Sequence, residues 1–236
     1  MKKQVVVVGL GRFGSSVATS LYNLGHDVLA IDKDQGRVQD MMGKSTHALT
    51  GNATDEHVFR ELGIPDYDVA IVSIGSDLVS SVMASVLLKT IGVPYIVARA
   101  KDELHGNTLQ RIGVDRVVHA ESELGVRLAH TLFNPNVQEY LELMPNFGIS
   151  KIVLPNRFDN MSIGELGFTG NNEKTGLSVL AVGRGRDVTL HPESDHKVRA
   201  GDSLVLAGHD NMLDDLGNLT ADSRHCHHIL DANCGK

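Results

Sequence analysis

The sequence predicts an α/β protein: a Rossmann-like, doubly wound parallel sheet with connecting helices, followed by a small α+β C-terminal lobe. Three observations predict this class. Short apolar runs alternate with segments of helical periodicity through the first half of the chain. A glycine-rich turn directly follows the first apolar run. After Gly148 the pattern changes to short strands separated by turns.

Strands and helices alternate from the start of the chain. Apolar, often β-branched runs predict strands at residues 3–8, 27–31, 45–49, 68–74, 95–99 and 115–118. Helical spacing predicts helices at 13–24, 34–43, 54–62, 77–91 and 103–112. Thr54 and Ser76 are candidate N-caps, and Gly25, Gly92 and Gly113 stand where helix ends favour positive φ. This alternation is typical of a parallel sheet with helices on both faces.

A connecting region follows the sixth predicted strand. From Ser122, a candidate N-cap, Leu124, Leu128 and Leu132 share one helix face until Pro135. A second short amphipathic helix is predicted at 137–143. Two explanations of this apolar surface stay open: docking on a partner subunit, and packing on the chain's own sheet.

The C-terminal lobe has a different pattern from the first half. We predict strands at 149–154, 177–182, 187–190 and 203–207, a helical stretch at 162–166, and a polar loop at 171–174. The predicted domains are residues 1–134 for the nucleotide-binding domain, 135–148 for the connecting helix or linker, 149–210 for the lobe and 211–236 for a flexible tail. A soft-metal site is an alternative for the tail, although its spacing matches no standard zinc motif. Its candidate ligands are His225, Cys226, His228 and Cys234.

Composition excludes several classes of protein. The 236 residues carry a formal net charge of -7 without a run of Lys or Arg, which argues against nucleic-acid partners and anionic membrane surfaces. The apolar runs are far shorter than the ~20 residues that span a bilayer. The two cysteines lie near the C-terminus, so no disulfide framework is expected. We therefore expect a cytoplasmic protein without direct membrane insertion.

The glycine-rich turn matches a dinucleotide-binding fingerprint. It has the sequence Gly-Leu-Gly-Arg-Phe-Gly at residues 9–14. Gly9 would allow the tight turn, Gly11 the close approach of a phosphate, and Gly14 the packing of helix on strand. Asp32, after the next strand, would bond the ribose hydroxyls, and its charge favours NAD(H) or an adenine nucleotide over NADP. The alternative is an unoccupied turn of an α/β protein.

Two arginines are candidates for the phosphate end of the site. Arg12 lies within the fingerprint, and Arg99 ends the fifth predicted strand at the ligand-binding edge of the sheet. A triphosphate needs more cationic partners than a pyrophosphate, so the pair favours ATP or ADP. The alternatives are a solvated Arg12 and an Arg99 paired with Asp102 or Glu103.

Catalytic residues are not evident. A Tyr-x-x-x-Lys motif is absent, since the four tyrosines are followed four residues later by His, Ile, Arg and Met. Several histidines fall at predicted element boundaries or near the connecting region, where a catalytic role is not favoured. They are His26, His47, His57, His105, His119 and His130. A ligand sensor is the main interpretation, with a small NAD-dependent oxidoreductase or an NAD(H)-binding redox sensor as alternatives.

Several segments resemble one family, the RCK (regulator of potassium conductance) proteins, and within it the cytoplasmic regulatory subunits of Ktr and Trk potassium-uptake systems. The resemblance extends from residue 3 to about residue 210. It is carried by the 9–14 fingerprint, Asp32, and residues 51–54, 73–75, 99–101, 119–121 and 198–208. It implies a non-catalytic protein whose homodimers assemble into an octameric ring beneath a membrane potassium-translocating subunit, which ATP and ADP would regulate. The protein would then be peripheral to the membrane through that subunit.

The resemblance also implies roles for individual residues. Asp32 would bond the ribose, residues 52–54 would line the adenine and ribose side, and residues 74–76 would close the pocket. Arg12 would contact a terminal phosphate, either in its own site or in that of a neighbouring subunit. The full expected set is Gly9, Gly11, Arg12, Phe13, Gly14, Asp32, Lys33, Asn52, Ala53, Thr54, Ile74, Gly75, Ser76, Arg99 and Glu121.

Two further ligands follow from the resemblance alone. Glu121 would hold a divalent cation or Na⁺ beside the phosphates at the dimer interface; without the resemblance it is a carboxylate at a helix start. Cyclic di-AMP would bind the C-terminal lobe near Arg184, Arg186 and Pro192, although the loop at 168–175 does not match the members that bind it.

Overall fold

A computed structural model of the protein describes residues 2–132, 136–169 and 176–213. The chain divides into two compact units, residues 1–123 and 124–236. The predicted polar loop at 171–174, the stop at Pro135 and the tail with its His and Cys residues lie outside the described residues.

The first unit is a six-stranded parallel sheet with strand order β3-β2-β1-β4-β5-β6. Its strands are β1 Gln4–Val8, β2 Asp27–Asp32, β3 His47–Thr50, β4 Val69–Val72, β5 Ile96–Arg99 and β6 Arg116–Val118. Its helices are α1 Arg12–Asn23, α2 Gln35–Asp40, α3 Glu56–Glu61, α4 Leu78–Thr90, α5 Glu103–Arg111 and α6 Ala120–Leu132, which continues into the second unit. The order reverses between β1 and β4, where this architecture opens a crevice for ligands. The predicted sheet is confirmed.

Both faces of the sheet are buried, which explains the continuous apolar strands. In β1, Val6 and Val8 pack into one core with Phe59 and Leu88. The intervening residues of β1 pack into the opposite core, beside Ala18 and Met41 of the α1 and α2 side. Burial on both faces fixes the position of β1 in the sheet, and with it the position of the turn that follows Val8.

Carboxylates, rather than the expected hydroxyls, cap α3 and α4. Asp77 begins α4 and accepts a hydrogen bond from the Ser80 amide, and Asp55 begins α3, so Ser76 and Thr54 are each one residue from the true cap. An aspartate both accepts amide hydrogen bonds and interacts favourably with the helix dipole. The prediction of positive φ at the helix ends is confirmed, because Gly25, Gly92 and Gly113 have φ of 87°, 90° and 87°.

The connecting region is only partly helical. α6 begins at Ala120 instead of Ser122, and its predicted apolar positions, Leu124, Leu128 and Leu132, are exposed. The predicted helix at 137–143 is wrong. That segment is strand β7, Val137–Met144, antiparallel to β8, Phe147–Val153.

Irregular pairing explains why the pattern of β7 was misleading. The register between β7 and β8 shifts twice, between Val137 and Glu139 and between Glu142 and Met144. Extra residues in a strand break its period of two, so the spacing of apolar residues imitates a helix. Asn146, at φ 61°, helps close the tight turn that follows Pro145.

The second unit contains a five-stranded antiparallel sheet with order β10-β9-β11-β8-β7. β9 is Ser178–Arg184, β10 is Asp187–Leu190 and β11 is Ser203–His209. A short helix, α7 Ile163–Leu166, is held by a capping box between Ser162 and Glu165. The predicted α+β lobe is confirmed. No helix in the described parts of the chain has the length and apolarity that crossing a membrane requires.

An ion pair between a half-exposed arginine and a buried carboxylate stabilises this lobe. The Asp202 side chain is 3% exposed, and it accepts hydrogen bonds from Arg184 Nε at 2.9 Å and Nη2 at 2.7 Å. The Arg199 amide donates a further bond of 2.8 Å to the same carboxylate. A two-point arginine contact satisfies a carboxylate that burial would otherwise destabilise.

We expect Arg184→Met to lower the free energy of unfolding of the lobe by about 2–4 kcal/mol, because it leaves Asp202 buried with one amide donor. Chemical denaturation followed by circular dichroism would measure the loss. Arg186→Met, which removes the same charge from the exposed turn between β9 and β10, should change stability by less than about 0.5 kcal/mol. Equal effects of the two substitutions would contradict this account.

The same pair should make the stability of the lobe depend on pH. The Arg184 guanidinium, with a smaller effect from the Arg199 amide, holds the pKa of Asp202 below its usual range. A lowered carboxyl pKa stabilises the fold above the pKa of the unfolded chain, and this contribution is lost as pH falls through the lowered value. We therefore expect the unfolding free energy to decline below about pH 4. The decline should be shallower in Arg184→Met; identical acid profiles would contradict the assignment.

Candidate nucleotide-binding site

A cavity of about 430 Å³ lies at the carboxyl ends of the strands, at the point where the strand order reverses. Most of the expected site residues line it: Gly9, Gly11, Arg12, Asp32, Lys33, Asn52, Ala53, Ile74, Gly75, Ser76 and Arg99. Phe13, Gly14, Thr54 and Glu121 are not among its lining residues. A larger groove of about 560 Å³ lies between α1 and α2, but it is away from the strand ends at which ligands bind in this architecture.

The three fingerprint glycines have distinct environments. Gly9 has φ 91°, and its amide donates to the Ile31 carbonyl at 2.8 Å. A methyl group on Gly14 would collide with the Gly9 carbonyl and the Ser73 hydroxyl, whereas nothing lies within 4 Å of the corresponding position on Gly11. Gly9 and Gly14 are therefore required by the fold itself. Gly11 leaves space that a ligand can use.

The N-terminus of α1 faces this cavity through Gly11 and Arg12. Gly11 is the N-cap and provides no side-chain hydrogen bond, and the first turn contains no acidic residue. The first amides of a helix have no intrahelical acceptors, and they carry the positive end of the helix dipole. This end of the cavity is therefore suited to bind an anion such as a phosphate.

Asp32 is held in one orientation beside the glycine-rich turn. Its side chain is 6% exposed and accepts hydrogen bonds from the Leu10 amide at 2.6 Å and the Asp34 amide at 2.9 Å. A carboxylate has about four lone-pair sites, so two amide contacts leave capacity for ribose hydroxyls.

Arg37, which was not expected from the sequence, also lines the cavity. Its guanidinium is 3.5 Å from the Asp32 carboxylate, and its side chain is largely exposed. A positive charge this close to Asp32 weakens the repulsion between its carboxylate and a 2′-phosphate. The expected preference against NADP depends on that repulsion. The sequence signal was a basic residue five positions after the acid, within α2.

Thr54 acts on Asn52 and does not line the cavity. The Thr54 amide and hydroxyl donate to Asn52 Oδ1 at 3.1 Å and 2.9 Å. Asn52 is therefore fixed after β3, where it lines the cavity together with Gly51 and Ala53.

Arg99 has a different partner from those considered in the sequence. Its Nε donates to Glu121 Oε2 at 3.3 Å, and its Nη2 donates to the other carboxylate oxygen. Asp102 instead caps α5 by accepting from the His105 amide, so the expectation of an Arg99–Asp102 or Arg99–Glu103 pair is wrong. The Arg99 guanidinium lowers the pKa of Glu121, and Arg12 contributes weakly in the same direction.

Glu121 lies beside a neighbouring cavity of about 290 Å³, together with Lys101 and His119. Among residues 2–132, 136–169 and 176–213, no three His, Cys, Asp or Glu side chains form a cluster that could hold a metal ion. A cation at Glu121 would therefore need ligands beyond this set, such as phosphate oxygens or a second subunit.

The expected cyclic di-AMP residues are not equally accessible to a ligand. Arg184 is engaged by Asp202, while Arg186 lies in the exposed turn between β9 and β10. A ligand that needs the Arg184 guanidinium would have to break its ion pair with a buried carboxylate.

We expect Gly11→Ala to lower the free energy of unfolding by no more than about 1 kcal/mol, because its methyl group meets open space and the only cost is a poorer N-cap residue. It should still weaken nucleotide binding about tenfold or more, because the methyl group occupies the position that a phosphate approaches. Calorimetric titration and denaturant unfolding would measure both effects.

Gly14→Ala is the matched comparison. Its methyl group collides with backbone, so we expect a loss of stability rather than a selective loss of binding. Unchanged nucleotide affinity in Gly11→Ala would show that phosphates do not bind at this turn.

Comparison with known proteins agrees with this geometry. The TrkA-N domain model matches residues 5–120, and the TrkA-C domain model matches residues 149–221. The chain is 35% identical over 207 residues to the Ktr system potassium uptake protein A of Bacillus subtilis, covering 88% of this chain and 92% of the relative. It is 30% identical over 211 residues to the protein of the same name from Vibrio alginolyticus, covering 89% and 94%.

Solved structures share the fold. The crystal structure of the GsuK RCK domain has a TM-score of 0.59 at 18% identity, covering 94% of this chain and 48% of that one, so this chain spans about half its length. The GsuK channel bound to NAD has a TM-score of 0.60 at 18% identity, covering 94% and 40%. The chain thus belongs to the RCK family of Ktr potassium uptake proteins, and it is built from a TrkA-N and a TrkA-C domain.

Proposed function

We propose that this protein is a nucleotide-sensing regulatory subunit that gates a membrane potassium transporter in response to ATP and ADP. The observation that carries the proposal is the cavity at the strand-order reversal, which is lined by the start of α1, by Arg12 and Arg99, and by Asp32. This arrangement suits a ligand with a ribose at one end and several phosphates at the other.

The charge at the phosphate end favours a nucleoside di- or triphosphate. Arg12 and Arg99 both line the cavity, and each presents several N–H donors to phosphate oxygens. The cation that we propose at Glu121, a divalent ion or Na⁺, would share phosphate oxygens as ligands. We do not propose cyclic di-AMP as a second ligand, because Arg184, one of the residues expected to bind it, is paired with Asp202.

A sensing role suits the cavity better than catalysis does. The described residues that line it include no His, Tyr or Cys, and Asp77 is used as the cap of α4. Hydride transfer to a substrate such as an alcohol or ketone needs a proton donor or acceptor beside the nicotinamide. The cavity supplies groups that hold a nucleotide rather than groups that exchange protons with a substrate.

The second candidate is an NAD(H)-binding redox sensor. The Asp32 position favours it, and the GsuK channel, which shares this fold, has been solved with NAD bound. The two candidates differ in the ligand sensed and share the regulatory role.

The proposed partner follows from the relatives. Ktr proteins that match over nearly their whole length are named as potassium uptake proteins. We propose that this chain forms homodimers that assemble into an octameric ring, which docks on a potassium-translocating membrane subunit from the cytoplasmic side. A ligand regulates such an assembly only if it binds two conformations with different affinity.

Calorimetric titration of the full-length protein with ATP, ADP, NADH and NAD, with and without a divalent cation, tests the proposal. We expect affinities for ATP and ADP that differ from each other and change with the cation. Arg12→Ala should bring the ATP and ADP affinities together, a loss of about tenfold in discrimination, while adenosine still binds.

Arg116→Ala is the control, because it removes the same charge from the start of β6, at the opposite edge of the sheet. Tight NADH binding without ATP binding would favour the NAD(H)-binding redox sensor over the ATP- and ADP-sensing subunit. Undiminished discrimination in Arg12→Ala would overturn the role of that residue.

A further inference from the structure

The Arg99–Glu121 pair lies between two sites. The Arg99 side chain is 19% exposed and borders the nucleotide cavity, whereas Glu121 is 64% exposed and borders the neighbouring one. The guanidinium lies against the backbone of Gly75, where a methyl group would be 3.0 Å from Arg99 Cζ. Arg99 is thus placed at the nucleotide cavity while its hydrogen bonds are directed to a carboxylate outside it.

A nucleotide phosphate would compete with Glu121 for this arginine. Phosphate oxygens match the charged, planar guanidinium as well as a carboxylate does. A di- or triphosphate also carries more negative charge than one carboxylate. The bond to Glu121 is a weak competitor because that side chain is mostly exposed to water.

We propose that Glu121 holds Arg99 away from the phosphate position, and that binding of a nucleotide's phosphates transfers Arg99 from Glu121 to the ligand. This inference rests on the proposed nucleotide binding and adds a mechanism to it. Glu121 thereby opposes nucleotide binding until the phosphate chain is long and charged enough to replace it.

The transfer would act on α6. Glu121 lies in the first turn of α6, the helix in which the chain passes from the first unit to the second at residues 123–124. Breaking the pair frees its carboxylate from β5, so the start of α6 responds to the phosphates although it does not line the nucleotide cavity. Arg99, and more weakly Arg12, lower the pKa of Glu121.

A double-mutant cycle on the full-length protein tests the competition. ATP is titrated into the parent, Arg99→Gln, Glu121→Gln and the double variant, in a sodium-free buffer with EDTA so that no divalent cation or Na⁺ occupies Glu121. We expect Glu121→Gln to tighten ATP binding about fivefold to tenfold. Arg99→Gln should weaken binding about twofold in the parent but about tenfold or more when Glu121 is already Gln.

The cycle separates competition from simple repulsion. Direct repulsion between Glu121 and phosphate is present with or without Arg99, so it cancels from the coupling term. Glu123→Gln is the matched control, because Glu123 lies in the same turn but its carboxylate accepts from the His119 amide. It should show no coupling to Arg99. Adenosine, which has no phosphate, should bind all variants alike.

Each result decides between the alternatives. Coupling of about fivefold or more at Glu121, and none at Glu123, supports the transfer of Arg99. Equal costs of Arg99→Gln in both backgrounds, with ATP still bound, would overturn this inference alone. Absence of ATP and ADP binding in every variant would overturn the proposed function and this inference with it.

Discussion

The close packing of Gly14 against the Gly9 carbonyl is the constraint on which the site depends. No side chain fits between them, and the Ser73 hydroxyl, which donates to the Gly9 carbonyl, occupies the remaining space. The start of α1 is therefore held against the ends of both β1 and β4. Because these two strands flank the reversal of strand order, one contact places the helix dipole at the crevice between them.

Features encoded by neighbouring residues could be predicted from the sequence. The alternation of apolar runs located the six parallel strands, and spacing alone located the fingerprint and Asp32 at one cavity. The predictions that failed depended on distant partners. Arg99 meets Glu121 across 22 residues, and Arg37 enters the cavity through the tertiary position of α2. The strand at 137–144 pairs with bulges that break the period used to recognise strands.

Two cationic groups at the site, Arg99 and Arg37, already have a carboxylate partner within the protein. Arg99 is bonded to Glu121, and Arg37 lies near Asp32. An arginine that exchanges one anion for another gains only the difference in free energy between the two interactions. The affinity for the nucleotide is therefore moderate, but it still depends on the charge of the phosphates. This property suits a sensor, which must release its ligand when concentrations change. An enzyme would instead place its charges for the transition state.

Two arginine–carboxylate pairs, Arg99–Glu121 and Arg184–Asp202, differ in how deeply the acid is buried. Arg184 contacts a carboxylate that is 3% exposed and also held by a backbone amide, so exchanging its partner would leave a buried charge. Arg99 contacts a carboxylate that is 64% exposed, which water solvates when the pair breaks. Burial of the acid, rather than the presence of the pair, thus decides which arginine can respond to a ligand. By this criterion the first unit has an exchangeable cation beside its cavity, and the C-terminal lobe has a fixed one.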